Sequence, residues 1–142
     1  MKVFIDADGC PVISITINIC KKYNIPVTIV CDTSHEFNDG YSEVITVSKG
    51  ADSADFKIVS LACENNIVIT QDYGLAAMCL AKKCRVLSQD GMTYSDLNID
   101  SLLMSRHTAK KIRNSGGRLK GNPKRTKQQD IDFQNALLQL LA

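Results

Sequence analysis

Short apolar runs alternate with longer mixed segments along this chain of 142 residues. The apolar runs are typical of buried strands, and the segments between them have the length of helices. Strands that alternate with helices indicate βαβ units, which build a parallel sheet. The sequence therefore predicts a single α/β domain over residues 1–142. The predicted strands are residues 2–5, 27–31, 43–47, 67–70 and 85–87. The predicted helices are residues 12–23, 54–65, 74–82, 99–113 and 128–141.

One predicted helix carries a pattern that conflicts with a helix. Isoleucines at positions 13, 15, 17 and 19 alternate with small or polar residues, and this period of two is typical of a strand. Pro11 favours a helix, because proline suits the first helical position. A parallel neighbour for the first strand also requires a crossover element before residue 27. The residues alone leave both structures open, and these two arguments favour the helix.

Apolar residues recur with helical spacing in two other predicted helices. The helix at 54–65 has Phe56, Val59 and Cys63 at this spacing. The stripe of the last helix is more regular and is rich in leucine. We expect this last helix to dock on the same chain, although its stripe also suits a homodimer. The stripe consists of Phe133, Ala136, Leu137, Leu140 and Leu141.

Acidic residues cluster after three of the predicted strands. Asp6 and Asp8 follow the first strand, and Asp72 follows the fourth. Asp52 and Asp55 lie between the third strand and its helix. In an open parallel sheet such strand ends share one edge, where ligands bind at the switch in strand order. Close carboxylates repel and lose hydration unless a cation compensates them, and oxygen ligands suit Mg²⁺ or Mn²⁺. The three clusters therefore predict a divalent metal site.

Each acidic cluster also has a structural explanation. Asp52 can cap the second helix, with Asp55 favourably placed in its first turn, and Asp72 can cap the third helix. Asp6 and Asp8 are harder to explain in this way, because one cap needs only one aspartate. The coincidence of three clusters at strand ends favours the metal site over three separate structural roles.

Charge is unevenly distributed along the chain. The formal net charge is +2, yet residues 106–127 carry nine basic side chains and no acidic one. A basic segment on an otherwise acidic body indicates a polyanionic partner, although such a run can also be a solvated helix face and a linker. The glycine-rich stretch 115–123 within it is typical of a loop. The side chains predicted to bind nucleic acid are Arg106, Lys110, Lys111, Arg113, Arg118, Lys120, Lys124, Arg125 and Lys127.

The six cysteines include no Cys-x-x-Cys pair. We therefore expect free thiols in a reducing cytoplasm rather than disulfides. The start of the chain has no pattern of a secretory signal, and no apolar stretch is long enough to span a membrane. Zinc binding is not expected either, because the two histidines lie near no close cysteine pair.

Several motifs follow one another in a specific order along the chain. They are Asp6-Ala7-Asp8-Gly9-Cys10-Pro11-Val12, Gly50-Ala51-Asp52-Ser53-Ala54-Asp55, and Val68-Ile69-Thr70-Gln71-Asp72 with Leu75-Ala76-Ala77. Further motif residues are Gly91, Tyr94, Asn98-Ile99-Asp100, Arg106, Gly116-Gly117, Pro123, Asp130 and Phe133. Together they resemble the YaiI/YqxD family of uncharacterised bacterial proteins almost from end to end. Gly9 stands where that family usually has alanine, and Asn122 interrupts what is usually Gly-Pro.

Proteins of this family look PIN-like, that is, related to metal-dependent ribonucleases. The resemblance implies a three-layer sandwich with a mainly parallel five-stranded sheet in the order 3-2-1-4-5 and helices on both faces. With this order, Asp6 and Asp72 lie on adjacent strands and face each other across the crevice. The resemblance also implies a helix for residues 12–23.

The leading hypothesis is metal-dependent phosphodiester hydrolysis, with RNA as the favoured substrate. Asp6 and Asp72 would be the catalytic residues and would hold a central Mg²⁺ or Mn²⁺. Asp8, Asp52 and Asp55 would complete its shell or hold a second ion. Thr70 would position a ligand or a water.

Two other functions stay open. The Asp-Ala-Asp-Gly motif also resembles the opening of the haloacid-dehalogenase group, in which Asp6 would be the nucleophile of a phosphatase and Asp8 its acid/base. Alternatively, the chain is a non-catalytic RNA-binding module whose aspartates cap helices. Substitution of Asp6 by Asn separates these functions, because it abolishes turnover in either enzyme and spares RNA binding by the module.

Overall fold

The computed structural model describes residues 1–32, 37–50, 53–116 and 124–142. Each predicted strand and helix is present, and most bounds differ from prediction by the one or two residues usual for element ends. No helix in these ranges is long and apolar enough to cross a membrane. The elements are β1 (Val3–Asp6), α1 (Ile13–Lys22), β2 (Val27–Asp32), β3 (Glu43–Val47), α2 (Ser53–Leu61), β4 (Ile67–Ile69), α3 (Tyr73–Ala81), β5 (Arg85–Leu87), β6 (Thr93–Tyr94), α4 (Ile99–Asn114) and α5 (Lys127–Leu141).

The strands form one sheet in the order β3-β2-β1-β4-β5-β6. The first five strands are parallel, and β6 runs antiparallel to β5. In this register Ile5 lies opposite Ile29 on one side and Ile69 on the other. The predicted α/β class and the order 3-2-1-4-5 are confirmed. The sequence does not predict β6, because its two residues form no apolar run.

Helices cover both faces of the sheet and complete the predicted three layers. Successive residues of β1 face opposite sides of the sheet. Val3 and Ile5 belong to the core under α1 and α5, whereas Phe4 belongs to the core under α2, α3 and α4. Phe133 and Leu137 of α5 are fully buried in the first core. The apolar stripe of the last helix therefore docks on the same chain, as expected.

Helix α1 resolves the conflict in its sequence. Its four isoleucines are half-buried against the first core. Thr16 and Cys20, on the helix face between these isoleucines, are fully buried. The Thr16 hydroxyl donates to the Val12 carbonyl at 2.8 Å, which satisfies this buried polar group inside the helix. An isoleucine at every second position therefore occupies both flanks of the buried helix face, which imitates the period of a strand.

Helix α2 ends four residues before the predicted end at residue 65. The Asn66 side chain accepts the backbone N–H of Cys63 at 3.0 Å, and Asn65 has a φ of +69°, so the chain turns here instead of continuing as a helix. The buried face of α2 does not coincide with the residues at helical spacing. Ile58 and Ala62 are buried, whereas Phe56 is 65 % exposed and Cys63 is exposed.

Arg125 fixes the start of α5 to the turn between β5 and β6. Its Nη1 donates to Asp90 Oδ1 at 2.7 Å, its Nη2 donates to the Gln89 carbonyl at 2.7 Å, and its Nε donates to Asp130 Oδ1 at 2.8 Å. The side chain is 21 % exposed. Arg125 thus joins two elements. Its assignment to nucleic-acid binding stays a prediction, but its Nε, Nη1 and Nη2 all donate to protein oxygens, which favours a structural role.

Gly91 allows the same turn to approach α5 closely. Its φ is +89°, and a Cβ at this position would lie 2.6 Å from the carbonyl oxygen of Asp132. Asp90-Gly91 is a sequence pair typical of a turn, and the turn is observed. The role of Asp90 as a partner of Arg125 is not predicted by the sequence.

Candidate active site at the carboxyl edge of the sheet

The carboxyl ends of β1 and β4 meet, because these strands are adjacent and parallel. Asp6 ends β1, Thr70 directly follows β4, and Asp72 lies two residues further on. A cleft of about 460 Å³ opens at this edge, and a smaller cleft of about 190 Å³ shares part of its lining. Asp6, Asp8 and Asp72 line both clefts. Three of the five predicted ligand aspartates therefore line both clefts.

Asp6 is held by one well-placed donor. The Thr70 hydroxyl donates to Asp6 Oδ2 at 2.8 Å and also accepts the backbone N–H of Asp72 at 3.0 Å. Burial raises the pKa of the Asp6 carboxyl above its ordinary value. The Thr70 hydrogen bond lowers that pKa, and the charges of Asp72 and Asp8 raise it again. The fold thus disfavours the negative charge that Asp6 carries.

Asp72 has a different environment from Asp6. It is the N-cap of α3, and its Oδ1 accepts the backbone N–H groups of Gly74 at 2.8 Å and Leu75 at 3.2 Å. The same oxygen lies 3.4 Å from Arg106 Nη1. The structural explanation of Asp72 as a helix cap is therefore confirmed, and it applies together with the position of Asp72 in the cleft.

The smaller cleft contains further carboxylates. Asp55, in the first turn of α2, and Asp32, the last residue of β2, both line it. Asp52 lies outside the described residues. Asp32 is not among the ligands predicted from the sequence, although the signal that marks Asp6 is also present there, namely an aspartate directly after a buried apolar run.

The larger cleft is also lined by uncharged side chains. Gln71 Oε1 accepts the backbone N–H of Gln89 at 2.8 Å, which fixes one side of the opening, and Tyr73 lines it as well. Burial raises the pKa of the Cys10 thiol, and the nearby charge of Asp6 raises it further. Cys10 is therefore a neutral thiol at neutral pH, which suits packing rather than nucleophilic attack.

The carboxylates suit a hydrated divalent cation better than a cation enclosed by protein ligands. Within the described ranges, no three His, Cys, Asp or Glu side chains converge closely enough to hold a metal ion. Mg²⁺ does not require three, because it usually keeps several waters and binds one or two carboxylates. A cation beside Asp6 would also relieve the repulsion from Asp8 and Asp72 that raises the pKa of Asp6.

Helix α4 carries the basic residue that lines the larger cleft. Arg106 lines the larger cleft itself. Lys110 and Lys111 follow on the same helix and are exposed. Arg113 also belongs to α4. The predicted nucleic-acid-binding set therefore begins inside the site and continues along the helix away from it.

The remaining basic residues lie near or before α5. Lys124 and Lys127 are exposed at its start. Arg125, between them, forms the contacts with the β5–β6 turn described above. Arg118 and Lys120 lie outside the described residues. The described part of this segment thus offers two exposed lysines for a polyanion.

Comparisons with known proteins place the chain in a family. A family profile described as "Uncharacterized BCR, YaiI/YqxD family" matches residues 4–142. A UPF0178 protein of Ruminiclostridium cellulolyticum is 53% identical over 97% of this chain and 90% of its own length. UPF0178 proteins of Exiguobacterium sibiricum and Alkaliphilus oremlandii are each 47% identical over 99% of this chain, and cover 96% and 91% of their own lengths. No solved structure matches the chain. The chain belongs to the YaiI/YqxD family, as the resemblance of its motifs implies.

Proposed function

We propose that this chain is a metal-dependent nuclease that hydrolyses phosphodiester bonds, with RNA as its substrate. The observation that supports this most is the shared cleft of Asp6, Asp8 and Asp72 beside the guanidinium of Arg106. Clustered carboxylates attract a divalent cation, and the cation together with Arg106 would attract a phosphate group. This combination of charges suits a phosphodiester better than an uncharged substrate.

The proposed metal ligands are the aspartates at the sheet edge. Asp6 and Asp72 would hold Mg²⁺ or Mn²⁺, with Asp8, Asp52 and Asp55 as further ligands of that ion or of a second one. When bound, the metal would lower the pKa of a coordinated water and stabilise negative charge on the phosphate oxygens.

The chain's own residues would orient these groups and attract the substrate. Thr70 bonds both the Asp6 carboxylate and the backbone of Asp72, so it holds the two strand ends in a fixed relation. Arg106 presents a positive charge inside an acidic cleft. Lys110 and Lys111 extend that charge along α4. Attraction of this kind acts on the RNA backbone, weakens with salt and carries little sequence information.

A non-catalytic RNA-binding module is the second candidate, and one observation favours it. Asp72 Oδ1 already accepts two backbone N–H groups of α3 and faces Arg106, so this carboxylate has a structural role that requires no metal. In such a module the exposed lysines would bind RNA, and the aspartates would serve the fold alone.

Substitution of Asp6 by Asn tests the nuclease against the module. Asp96→Asn is the control, because it removes the same charge from an exposed residue that lines neither cleft. Calorimetric titration with Mn²⁺ should show at least about tenfold weaker binding in Asp6→Asn, or ~1.4 kcal/mol, and no change in the control. Cleavage of a fluorescent single-stranded RNA should require Mg²⁺ or Mn²⁺ and should disappear in Asp6→Asn.

Three other outcomes would contradict the proposal. Equal Mn²⁺ binding by the parent and Asp6→Asn would exclude Asp6 as a ligand. RNA binding without a metal-dependent product would favour the non-catalytic module. Hydrolysis of small phosphomonoesters through an acid-stable phosphoryl intermediate on Asp6 would favour the phosphatase.

A further inference from the structure

Arg106 lies beside one group that attracts its charge and one that repels it. Its Nη1 is 3.4 Å from Asp72 Oδ1, and that oxygen also accepts the first N–H groups of α3 from Gly74 and Leu75. The N-terminus of a helix is positive, so it repels a neighbouring guanidinium. Asp72 is the group that attracts Arg106 to this place.

The pairing of Arg106 with Asp72 is weak. A separation of 3.4 Å exceeds the usual N–H···O range, and the Arg106 side chain is 61% exposed. Exposed ion pairs of this kind change an equilibrium by only about one-and-a-half- to fivefold. A Cβ on Gly74 would lie 3.2 Å from Asp72 Oδ1, which is a tight contact, and 3.6 Å from Arg106 Nη1, which is an ordinary van der Waals distance.

The two clefts differ in charge. Asp6, Asp8 and Asp72 line both, whereas Asp32 and Asp55 line the smaller cleft alone and Arg106 lines the larger cleft alone. A phosphate that approaches Asp72 through the larger cleft therefore meets Arg106 and avoids Asp32 and Asp55. A guanidinium can bind a phosphate through two parallel hydrogen bonds, which makes phosphate a stronger partner than one distant carboxylate oxygen.

We propose that Arg106 exchanges partners when the site is filled. It pairs with Asp72 before a metal binds, and it pairs with an RNA phosphate once a divalent cation has taken Asp72. This inference rests on the proposed function and adds a regulation to it. Metal and phosphate each remove a competitor of the other, so they bind with positive cooperativity, and the coupling is reciprocal.

Arg106→Ala tests the exchange, with Lys21→Ala as the control. Both variants lose one positive charge, and Lys21 is an exposed residue outside the lining of both clefts and outside the predicted nucleic-acid-binding set. Mn²⁺ is titrated calorimetrically into each protein, first alone and then with a saturating single-stranded pentathymidylate DNA that is verified as intact afterwards. Both titrations are made at about 0.15 M salt, where the screening length is about 8 Å.

The expected result is a difference that disappears when phosphate is present. Without the oligonucleotide, Arg106→Ala should bind Mn²⁺ about two- to fivefold more tightly than the parent, because the competing cation is gone. Lys21→Ala should stay within about 1.5-fold of the parent. With the oligonucleotide, Arg106→Ala should bind Mn²⁺ no more tightly than the parent, because phosphate then occupies Arg106 in the parent.

Two results would overturn the exchange while leaving the metal site intact. Equal gains in Mn²⁺ affinity for Arg106→Ala and Lys21→Ala would assign the effect to general charge repulsion. A gain in Arg106→Ala that is the same with and without the oligonucleotide would show that phosphate does not engage Arg106. Absence of Mn²⁺ binding in the parent would instead overturn the proposed function and the exchange together.

Discussion

Thr70 links the two aspartates at the centre of the site, so its substitution measures how firmly they are held. Its side chain is 3 % exposed, and its hydroxyl donates to Asp6 at 2.8 Å and accepts the Asp72 N–H at 3.0 Å. Thr70→Val keeps the shape of the side chain and removes both hydrogen bonds. Thr70→Ser is the matched control, because it keeps the hydroxyl and loses one methyl group.

Thr70→Val should lower the free energy of unfolding by about 2–3 kcal/mol. A hydrogen bond to a charged group contributes about 1.5–3 kcal/mol and a neutral one about 0.5–1.5 kcal/mol. We expect the lower part of the sum, because Asp6 is half-buried and water replaces part of the lost bond. Thr70→Ser should cost about 1 kcal/mol for its buried methyl. For a chain of 142 residues, 1 kcal/mol corresponds to about 3 °C, so Tm should fall by about 6–9 °C in Thr70→Val and by about 3 °C in Thr70→Ser.

The difference between the two variants should also depend on pH. Burial raises the pKa of Asp6 in the folded chain, and the Thr70 hydrogen bond lowers it. A carboxyl with a raised pKa contributes stability at low pH that is lost as pH rises through this pKa. Thr70→Val raises the pKa further, so its loss of stability should be larger at about pH 8 than at about pH 4.

Thermal denaturation followed by circular dichroism at these two pH values measures both effects. Equal melting temperatures for Thr70→Val and Thr70→Ser at the higher pH would refute the proposed role of the hydroxyl, because it would then contribute nothing. A deficit in Thr70→Val that stays constant in acid would contradict the role of the Asp6 charge while leaving the structural role of Thr70 in place.

Three further predictions concern the surroundings of the site. Gly91→Ala should cost more than about 3 kcal/mol by chemical denaturation, because a Cβ meets the backbone of α5 at 2.6 Å, whereas Gly40→Ala, with positive φ and open space, should cost about 1 kcal/mol. Arg125→Ala should cost about 1–2 kcal/mol and leave the salt dependence of RNA binding unchanged, whereas joint replacement of Lys124 and Lys127 by alanine should flatten the logarithmic slope by about 0.7 for each phosphate that is no longer neutralised. Millimolar Mg²⁺ should raise Tm of the parent more than that of Asp6→Asn, and equal responses in a thermal shift assay would contradict a metal at Asp6.

The sequence predicts the sheet well, because the relevant signal is local. Each core strand is an apolar run, and the chain must cross over between parallel neighbours. The signal weakens where an element is short, or where apolar residues lie on both sides of the buried face of a helix. Strand β6 is too short to show a pattern, and the isoleucines of α1 lie on both flanks of its buried face. Helical spacing also does not show whether a stripe faces the sheet, and Phe56 is exposed although it shares this spacing with Val59 and Cys63.

The aspartates of the site are predictable because the end of a buried parallel strand must reach the sheet edge. Asp32 follows the same rule, because it comes directly after the predicted second strand, yet it is not among the predicted ligands. The partners of the arginines are not predictable in this way. Arg106 pairs with Asp72 across 34 residues of sequence, and Arg125 pairs with Asp90 across 35. Such pairs depend on the packing of whole helices, which no local pattern encodes.

Asp6 and Asp72 differ in how the fold treats their charge. Asp72 accepts hydrogen bonds from helix N–H groups and lies beside Arg106, so the folded chain itself provides partners for its negative charge. Asp6 ends a strand whose preceding residues are fully or almost fully buried, and burial and neighbouring carboxylates both disfavour its charge. A charge that the fold disfavours and a ligand would relieve favours a binding site over a structural cluster. If a metal binds in this cleft, we therefore expect its affinity to depend more on Asp6 than on Asp72, because Asp72 already has helix N–H groups and Arg106 as partners.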